Sequence, residues 1–432
     1  MSAGYAITTY KIQLNYKHLD WFKQTQSLFD DVLAFYYKLL EKQPEALSLS
    51  NQNLLRHLEL QTIKQRDGTP PETPLPFEKI PLYFRRAAIN AAISMYRSYV
   101  GKLKAWQEGQ IKSGKPSPPK CLHMSMLYYK GMYKDFDEKS ILLKLYTGKT
   151  WAWVKHRYTG RPFPENAELM SPTIVIKKKK VILHIPVKEI VEDSRTAKER
   201  VQQNEKFVAV ALTGSDSLAV CTTIEADGRA IAPYFIKGGK ELAHRRKLLL
   251  GHTKRGIAEN NPPGLMAQPA GNDALSVPQE HRPNKKYYDK ITRLTDHYAH
   301  EVSRKIVDYA LKQGAKLIVL PELKESFNQA KKPYLGKTPY DFIGRRIARY
   351  VQYKAWQQGL VAMTSKPYYA STRCFHCDAP IAKHNTEYQN PSANFYGGKN
   401  FVCKEGHRGS TALNSARNLG KGFYYKFYQG VA

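Results

Sequence analysis

The sequence predicts an α+β chain of several domains: a β domain split around a helical insertion, then an α/β domain carrying a small metal-binding knuckle. Three observations lead there. Apolar and polar side chains alternate over residues 5–15, and strand-like runs return from 141 to 185, whereas the stretch between them has helical spacing. Residues 207–212 form a continuous apolar run, as a strand covered on both faces does, and strand and helix patterns then follow one another. Three of the five cysteines lie near the C-terminus, two of them as Cys374-Phe375-His376-Cys377. The boundaries that follow are 1–18 and 120–192 for the β domain and 19–119 for the insertion. A linker over 193–204 precedes the α/β domain at 205–432, with the knuckle at about 366–410.

Each element has its own warrant. Trp21, Phe22, Leu28, Val32, Leu33, Tyr36, Tyr37 and Leu40 recur at helical intervals. Prolines between 66 and 76 remove amide donors and end the helical pattern. It resumes at Pro81, a residue suited to a first turn. Ala87, Ala88, Ile89, Ala92, Ile93 and Tyr96 should pack on the earlier helix, leaving Arg85, Arg86 and Arg97 either solvated or on a phosphate. A Lys/Pro/Gly/Ser connection over 112–119 leads to strands at 141–146, 151–154, 174–176 and 181–185. Lys177, Lys178, Lys179 and Lys180 fall between the last two runs, where a hairpin tip puts them in water or against a phosphate.

In the second half, 207–212, 218–221 and 230–236 read as three successive antiparallel strands, with Asp227-Gly228 as a hairpin turn. A basic helix over 241–250 holds Arg245 and Arg246, which are candidates for contact with nucleic acid. Residues 260–284, rich in Pro, Gly and Asn, read as a surface loop. A long helix over 287–313 ends at Gly314, followed by a strand at 317–320, a helix at 339–358 and a strand at 360–363.

Lys and Arg number 68 against 37 acidic residues, a net charge of +31. A field of that sign attracts polyanions, because each neutralised phosphate releases condensed counterions. The 29 tyrosines add flat faces for unpaired bases. Nucleic acid is therefore the expected partner. No apolar stretch approaches the ~20 residues that cross a bilayer, and no signal-peptide core precedes the first strand. The expected location is cytoplasmic and nucleoid-associated, with no membrane partner. An odd, clustered cysteine set does not suit a disulfide framework, so Cys121 and Cys221 are expected to be buried small hydrophobes.

A Cys-x-x-Cys turn puts two thiolates on one side of a knuckle, and a second pair of ligands closes a tetrahedron around zinc. Here 25 residues separate Cys377 from Cys403. A second Cys-x-x-Cys would need cysteine where the chain has Gly406, so His407 is expected as the fourth ligand beside Cys374, Cys377 and Cys403. His384 and His376 are the alternatives. The cofactor expected is a structural Zn²⁺.

The run Tyr353-Lys354-Ala355-Trp356-Gln357-Gln358-Gly359, then Pro367 to Cys374, resembles the end of the TnpB proteins of bacterial insertion sequences and of the compact type V CRISPR effectors. Leu413-Asn414-Ser415-Ala416-Arg417-Asn418-Leu419 is similar to the Asn-Ala-Ala-x-Asn-Ile signature that follows the zinc ribbon in that family. Residues 317–323, after a helix containing His300, Ser303, Ile306 and Val307, match the middle of its RuvC-like domain. The resemblance implies a wedge-like β domain with a helical recognition insertion, then an RNase H-like (RuvC) domain with an inserted zinc ribbon. It also implies a guide RNA and a double-stranded DNA target next to a short motif as partners, with base pairing supplying specificity.

The family's nuclease needs three carboxylates to hold two Mg²⁺ ions. Counting back from Gly214 and Leu218-Ala219 puts Leu212 in the first slot, whereas counting along the strand puts Ala211 there. Pro321 fills the second slot and Ala412 the third, and no Asp or Glu occurs from Gly406 to Ala432. Arg408 and Arg417, expected to contact nucleic acid, do occur there, as do Lys421 and Lys426. No catalytic Mg²⁺ is therefore expected. The leading expectation is a guided DNA-binding protein without cleavage, repressing transcription or recruiting a transcription or transposition partner. The competing one is a guided nuclease with displaced carboxylates at Asp216 or Glu322.

Overall fold

The structure, a computed structural model, describes residues 4–430 apart from 65–67, 111–113, 138, 166–167, 215, 261–283, 324–338, 368, 387–388, 393–394 and 396–397. Two compact units divide the chain: Ile7–Ile190, and Met1–Ala6 with Val191–Ala432.

In the first, β1 (Tyr5–Asn15) leads into α1 (Leu19–Lys42), a 3-10 turn at Pro44–Ser48, α2 (Asn51–Thr62) and α3 (Leu82–Gln107). Seven strands follow: β2 (Met126–Leu127), β3 (Tyr133–Lys134), β4 (Ser140–Tyr146), β5 (Trp151–Thr159), β6 (Glu168–Leu169), β7 (Thr173–Lys177) and β8 (Lys180–Ile190). They form one sheet ordered β2-β7-β8-β1-β5-β4-β3, with β6 on β8. First in sequence, β1 lies in the middle of the sheet, which is why the alternation of residues 5–15 is so regular. Ile12, Leu14, Ile141, Leu143, Leu145, Leu183 and Ile185 turn inward against Phe22, Phe29, Leu33 and Tyr36 of α1 and Ala88, Ile89 and Ala92 of α3.

Arg85 and Arg86 meet a buried carboxylate. Each places Nη2 2.8 Å from an oxygen of Glu59, which is 6% exposed. Burial would raise that carboxyl, but the hydrogen bonds from Arg86 and Arg85 outweigh it and hold it below its ordinary value. Arg97 donates to the Leu49 carbonyl at 2.9 Å and to Asn51 Oδ1. All three arginines thus brace α3 against the preceding segment. Lys178 and Lys179 form the β7–β8 turn, Lys178 with φ +53°, while Lys177 and Lys180 are paired across it. Cys121 is exposed, contrary to expectation, because it lies in an unpaired stretch before β2; Cys221 is buried as expected, and burial pushes its thiol up.

The second unit holds α4 (Ala197–Gln202), β9 (Phe207–Leu212), β10 (Ser217–Ile224), β11 (Ala230–Lys237), α5 (Gly239–Asn260), α6 (Lys285–Lys312), β12 (Leu317–Pro321), α7 (Pro339–Gln357) and β13 (Val361–Ser365). Then come β14 (Ile381–His384), β15 (Asn400–Cys403), β16 (Arg408–Ser410) and α8 (Thr411–Phe427). The main sheet is ordered β11-β10-β9-β12-β13. β9 to β11 are antiparallel, whereas β12 runs parallel to both β9 and β13. Val208, Val210, Leu212, Ile318 and Leu320 pack under α6 and α7. Phe207, Ala209, Leu317 and Val319 pack on Leu419 and Phe423 of α8. Burial on both faces explains the unbroken apolar run of β9. Gly420 lets α8 approach closely, since a Cβ there would stand 2.7 Å from Ile224 and 3.0 Å from Ala209.

Residues 193–204 are more than a linker. Thr196 and Glu199 form a capping box that starts α4, and Arg200 on α4 is fully buried. The loop expected at 260–284 falls largely outside the described residues. Among the described residues no helix is long and apolar enough to cross a membrane.

Lys354 is buried between α6 and α7, donating to the His300 carbonyl at 2.6 Å and Ser303 Oγ at 2.8 Å. Desolvation holds its ammonium down at about 8, from 10.5. Below pH 8 the cost of burying the charge is fully present. Between about 8 and 10.5 the folded state has released a proton that the unfolded state keeps, so stability rises with pH. Lys354→Met should therefore be about 1–2 kcal/mol more stable than the parent near pH 7 after allowing for the lost hydrogen bonds. Urea unfolding at stepped pH should show that advantage shrinking across the window; a constant difference would refute the account.

Candidate functional sites

Cys374, Cys377, Cys403 and His407 converge, with their candidate ligand atoms all within 4.8 Å of one another. Cys377 Sγ lies 3.6 Å from Cys403 Sγ, which lies 3.4 Å from His407 Nδ1. The first knuckle is closed by Cys374 N–H on the Ala379 carbonyl and Asp378 N–H on the Cys374 carbonyl, at 2.8 and 2.9 Å. The second turns at Gly406, whose φ of +81° is left-handed, and Cys403 N–H then meets the His407 carbonyl at 3.0 Å. The residue that breaks the second Cys-x-x-Cys is the one that swings His407 into place. His376 stacks on His407 outside the cluster, and His384 Nδ1 is at the Thr386 carbonyl. Burial alone would raise the Cys403 thiol, but contacts with His407 and Cys377 bring it down to about 7. Three thiols and an imidazole at this spacing could hold a metal such as zinc.

The tail motif has a task that sequence reasoning missed. Asn414 Oδ1 accepts from Phe375 N–H at 2.8 Å, and its Nδ2 donates to the Arg373 carbonyl at 2.7 Å. Asn418 Nδ2 donates to the carbonyls of Ala370 at 3.1 Å and Arg373 at 2.7 Å. Two asparagines one helical turn apart thus hold the entry to the knuckle against α8. Their i, i+4 spacing was the available signal.

The three slots can also be located. Phe423 lies on Phe207 with ring centroids 5.1 Å apart, and Gly420 lies over Ala209, so α8 runs back along β9 and its first turn reaches the carboxyl end of that strand. Ala412 belongs to that turn. Pro321 alternates with Leu317 and Val319 and so faces α8. Leu212 does not: it alternates with Val208 and Val210 under α6 and α7, while Ala211 alternates with Phe207 and Ala209, the residues of β9 that pack on α8. Of the two residues expected for the first slot, Ala211 thus shares the face of Pro321, whereas Leu212 is on the opposite face.

Asp216 lies in the β9–β10 turn, 3.4 Å from Lys240 Nζ. Glu322 continues the ladder through its N–H to Ser365, at 2.8 Å, so its side chain alternates to the face opposite Pro321. Of the remaining basic candidates, Arg245 pairs with Glu241 at 2.6 Å. Arg246 is partly buried, and desolvation and Arg346 lower its pKa. Arg408 is exposed on β16, and Arg417 stacks on Phe375 at 5.6 Å.

A family model described as the Aq_aa04 family matches residues 6–147. The CRISPR-associated endodeoxyribonuclease Cas12f1 of Sulfoacidibacillus thermotolerans is 29% identical over 139 residues, 32% of this chain and only 29% of that protein. The fold is similar to that of a Cas12f1 in complex with sgRNA and target DNA, with a TM-score of 0.57, 14% identity and 94% and 83% of the two chains covered. It is also similar to the mini-RNA-guided endonuclease CRISPR-Cas_phi3, with a TM-score of 0.51, 10% identity and 96% and 93% coverage. The sequence match thus spans about a third of this chain and less than a third of that relative, while the likeness in fold extends over nearly the whole chain.

Proposed function

We propose that the chain binds a guide RNA and a matching double-stranded DNA and does not cut it, with the five-stranded sheet as an RNase H-like core. Similarity to effectors seen with guide RNA and target DNA supports the partners. The occupancy of the expected slots by Leu212 or Ala211, Pro321 and Ala412 supports the loss of cleavage. Two Mg²⁺ ions need converging carboxylates to offset their charge, and the α8 end of this sheet supplies none of the three. A bound, uncut R-loop blocks polymerase, so transcriptional repression is the simplest output. Zinc in the Cys374, Cys377, Cys403 and His407 cluster has a structural part, joining the two turns of the knuckle that Asn414 and Asn418 hold against α8.

The test uses purified protein, its co-purified RNA and matching DNA with Mg²⁺ or Mn²⁺. Expected are guide-dependent binding and intact DNA, with log affinity falling on the order of 0.7 to 0.9 per phosphate contact for each decade of salt. A guide-dependent cut abolished by Asp216→Ala or Glu322→Ala would restore the nuclease reading. Weak cutting should return only when Ala211→Asp, Pro321→Glu and Ala412→Asp are combined. The same triple with Leu212→Asp instead should stay silent, since that side chain points under α6 and α7.

A further inference from the structure

One face of the eight-stranded sheet is filled by the core; the other carries an aromatic platform among cations. Ile141, Leu143, Leu145 and His156 point inward, so their strand neighbours point out. On the outer side Lys144 stands opposite Trp153, Lys155 opposite Leu142, and Lys134 next to Leu142 on the other flank. Arg157 stands opposite Asn15 of β1. Trp153 is 38% exposed and is the one tryptophan among the exposed large apolar side chains of the described residues. The ammonium groups of Lys134 and Lys144 lie 4.7 and 5.7 Å from its ring centroid. β1, β3, β4 and β5 contain no Asp or Glu.

A lone exposed apolar side chain needs no explanation. An indole ringed by like charges is different, because those charges repel one another until an anion arrives. The indole offers a face on which a base stacks, and the surrounding cations suit the phosphates on either side. A duplex keeps its base faces inside the stack, so the ligand chemistry is that of an unpaired stretch, which folded RNA supplies in loops and ends. We propose that Trp153 stacks an unpaired nucleotide of the bound RNA, with Lys134, Lys144, Lys155 and Arg157 on the flanking phosphates. This rests on the reading that the chain holds a guide RNA.

The probes are a short labelled oligouridylate, its deoxy counterpart and a blunt RNA duplex of equal length, added to full-length protein stripped of co-purified RNA. Trp153→Ala should weaken oligouridylate binding by about tenfold or more, Trp153→Phe should retain most of the affinity, and neither should alter duplex binding or the melting temperature. Wild-type affinity in Trp153→Ala, or an equal loss on the duplex, would overturn the platform. Tighter, Trp153-dependent binding of the deoxy probe would overturn the choice of RNA. A parent protein that binds oligouridylate while Trp153→Ala is unaffected sinks only the platform; a parent that neither binds nor co-purifies with RNA sinks the guide reading itself.

Discussion

Cys377→Ser should release the metal from the cluster and unfold the ribbon between Arg373 and Ser410, while the β9–β13 sheet keeps its fold. The parent should contain one zinc per chain. Structural zinc is worth about 10–16 kcal/mol in isolated small domains, since its binding free energy is folding free energy there. Here the sheet has its own core, with the buried residues of β9 and β12 packed between α6, α7 and α8. Loss should therefore stay local and show as protease cleavage within 373–410 and exchange of the Phe375 amide, which Asn414 otherwise holds. Stoichiometric zinc in the serine variant, or a protected ribbon in a zinc-free preparation, would refute the assignment.

The second large effect is expected at Arg200. Its guanidinium is fully buried and donates to the carbonyls of Arg195, Lys316, Asp193 and Gly359 at 2.9–3.1 Å. Lys316 directly precedes β12 and Gly359 lies two residues before β13, so one side chain ties α4 to the start of two parallel strands. Arg200→Met fills similar volume but leaves those four carbonyls without that donor, together with Asp193, which Arg195 and Arg200 hold at about 2. Removing one partner from such a buried network costs about 3–5 kcal/mol. Urea unfolding should show this as an early transition of the Val191–Ala432 unit. Arg200→Lys should recover only part of it, because one ammonium cannot reach carbonyls arranged for a planar fork. A midpoint equal to the parent's would mean the network is not structural.

The elements legible in the sequence were those whose pattern is local. The alternation of residues 5–15 and the unbroken apolar run at 207–212 report which faces are covered, and both strands stand where they were expected. The metal cluster was legible because a Cys-x-x-Cys turn is a local constraint, and Gly406 with His407 could be read as a displaced second pair. What escaped was non-local. Nothing near Arg200 in sequence announces Lys316 or Gly359 as partners, so its segment read as a polar linker. Arg85 and Arg86 looked free because Glu59 reaches them from another helix.

Gly4 and Tyr5 carry a consequence for the order of events during synthesis. The Gly4 carbonyl accepts from Val191 N–H at 2.9 Å, and the Tyr5 carbonyl accepts from Trp356 Nε1 at 3.0 Å. The second bond spans 351 residues of sequence, so it forms only after that much more chain has been made. At translation speeds of about 5–20 residues per second that wait lasts on the order of tens of seconds. A chain stalled before α7 would lack this contact at the start of β1. The Trp356 indole therefore closes the start of β1 only after α7 has been made.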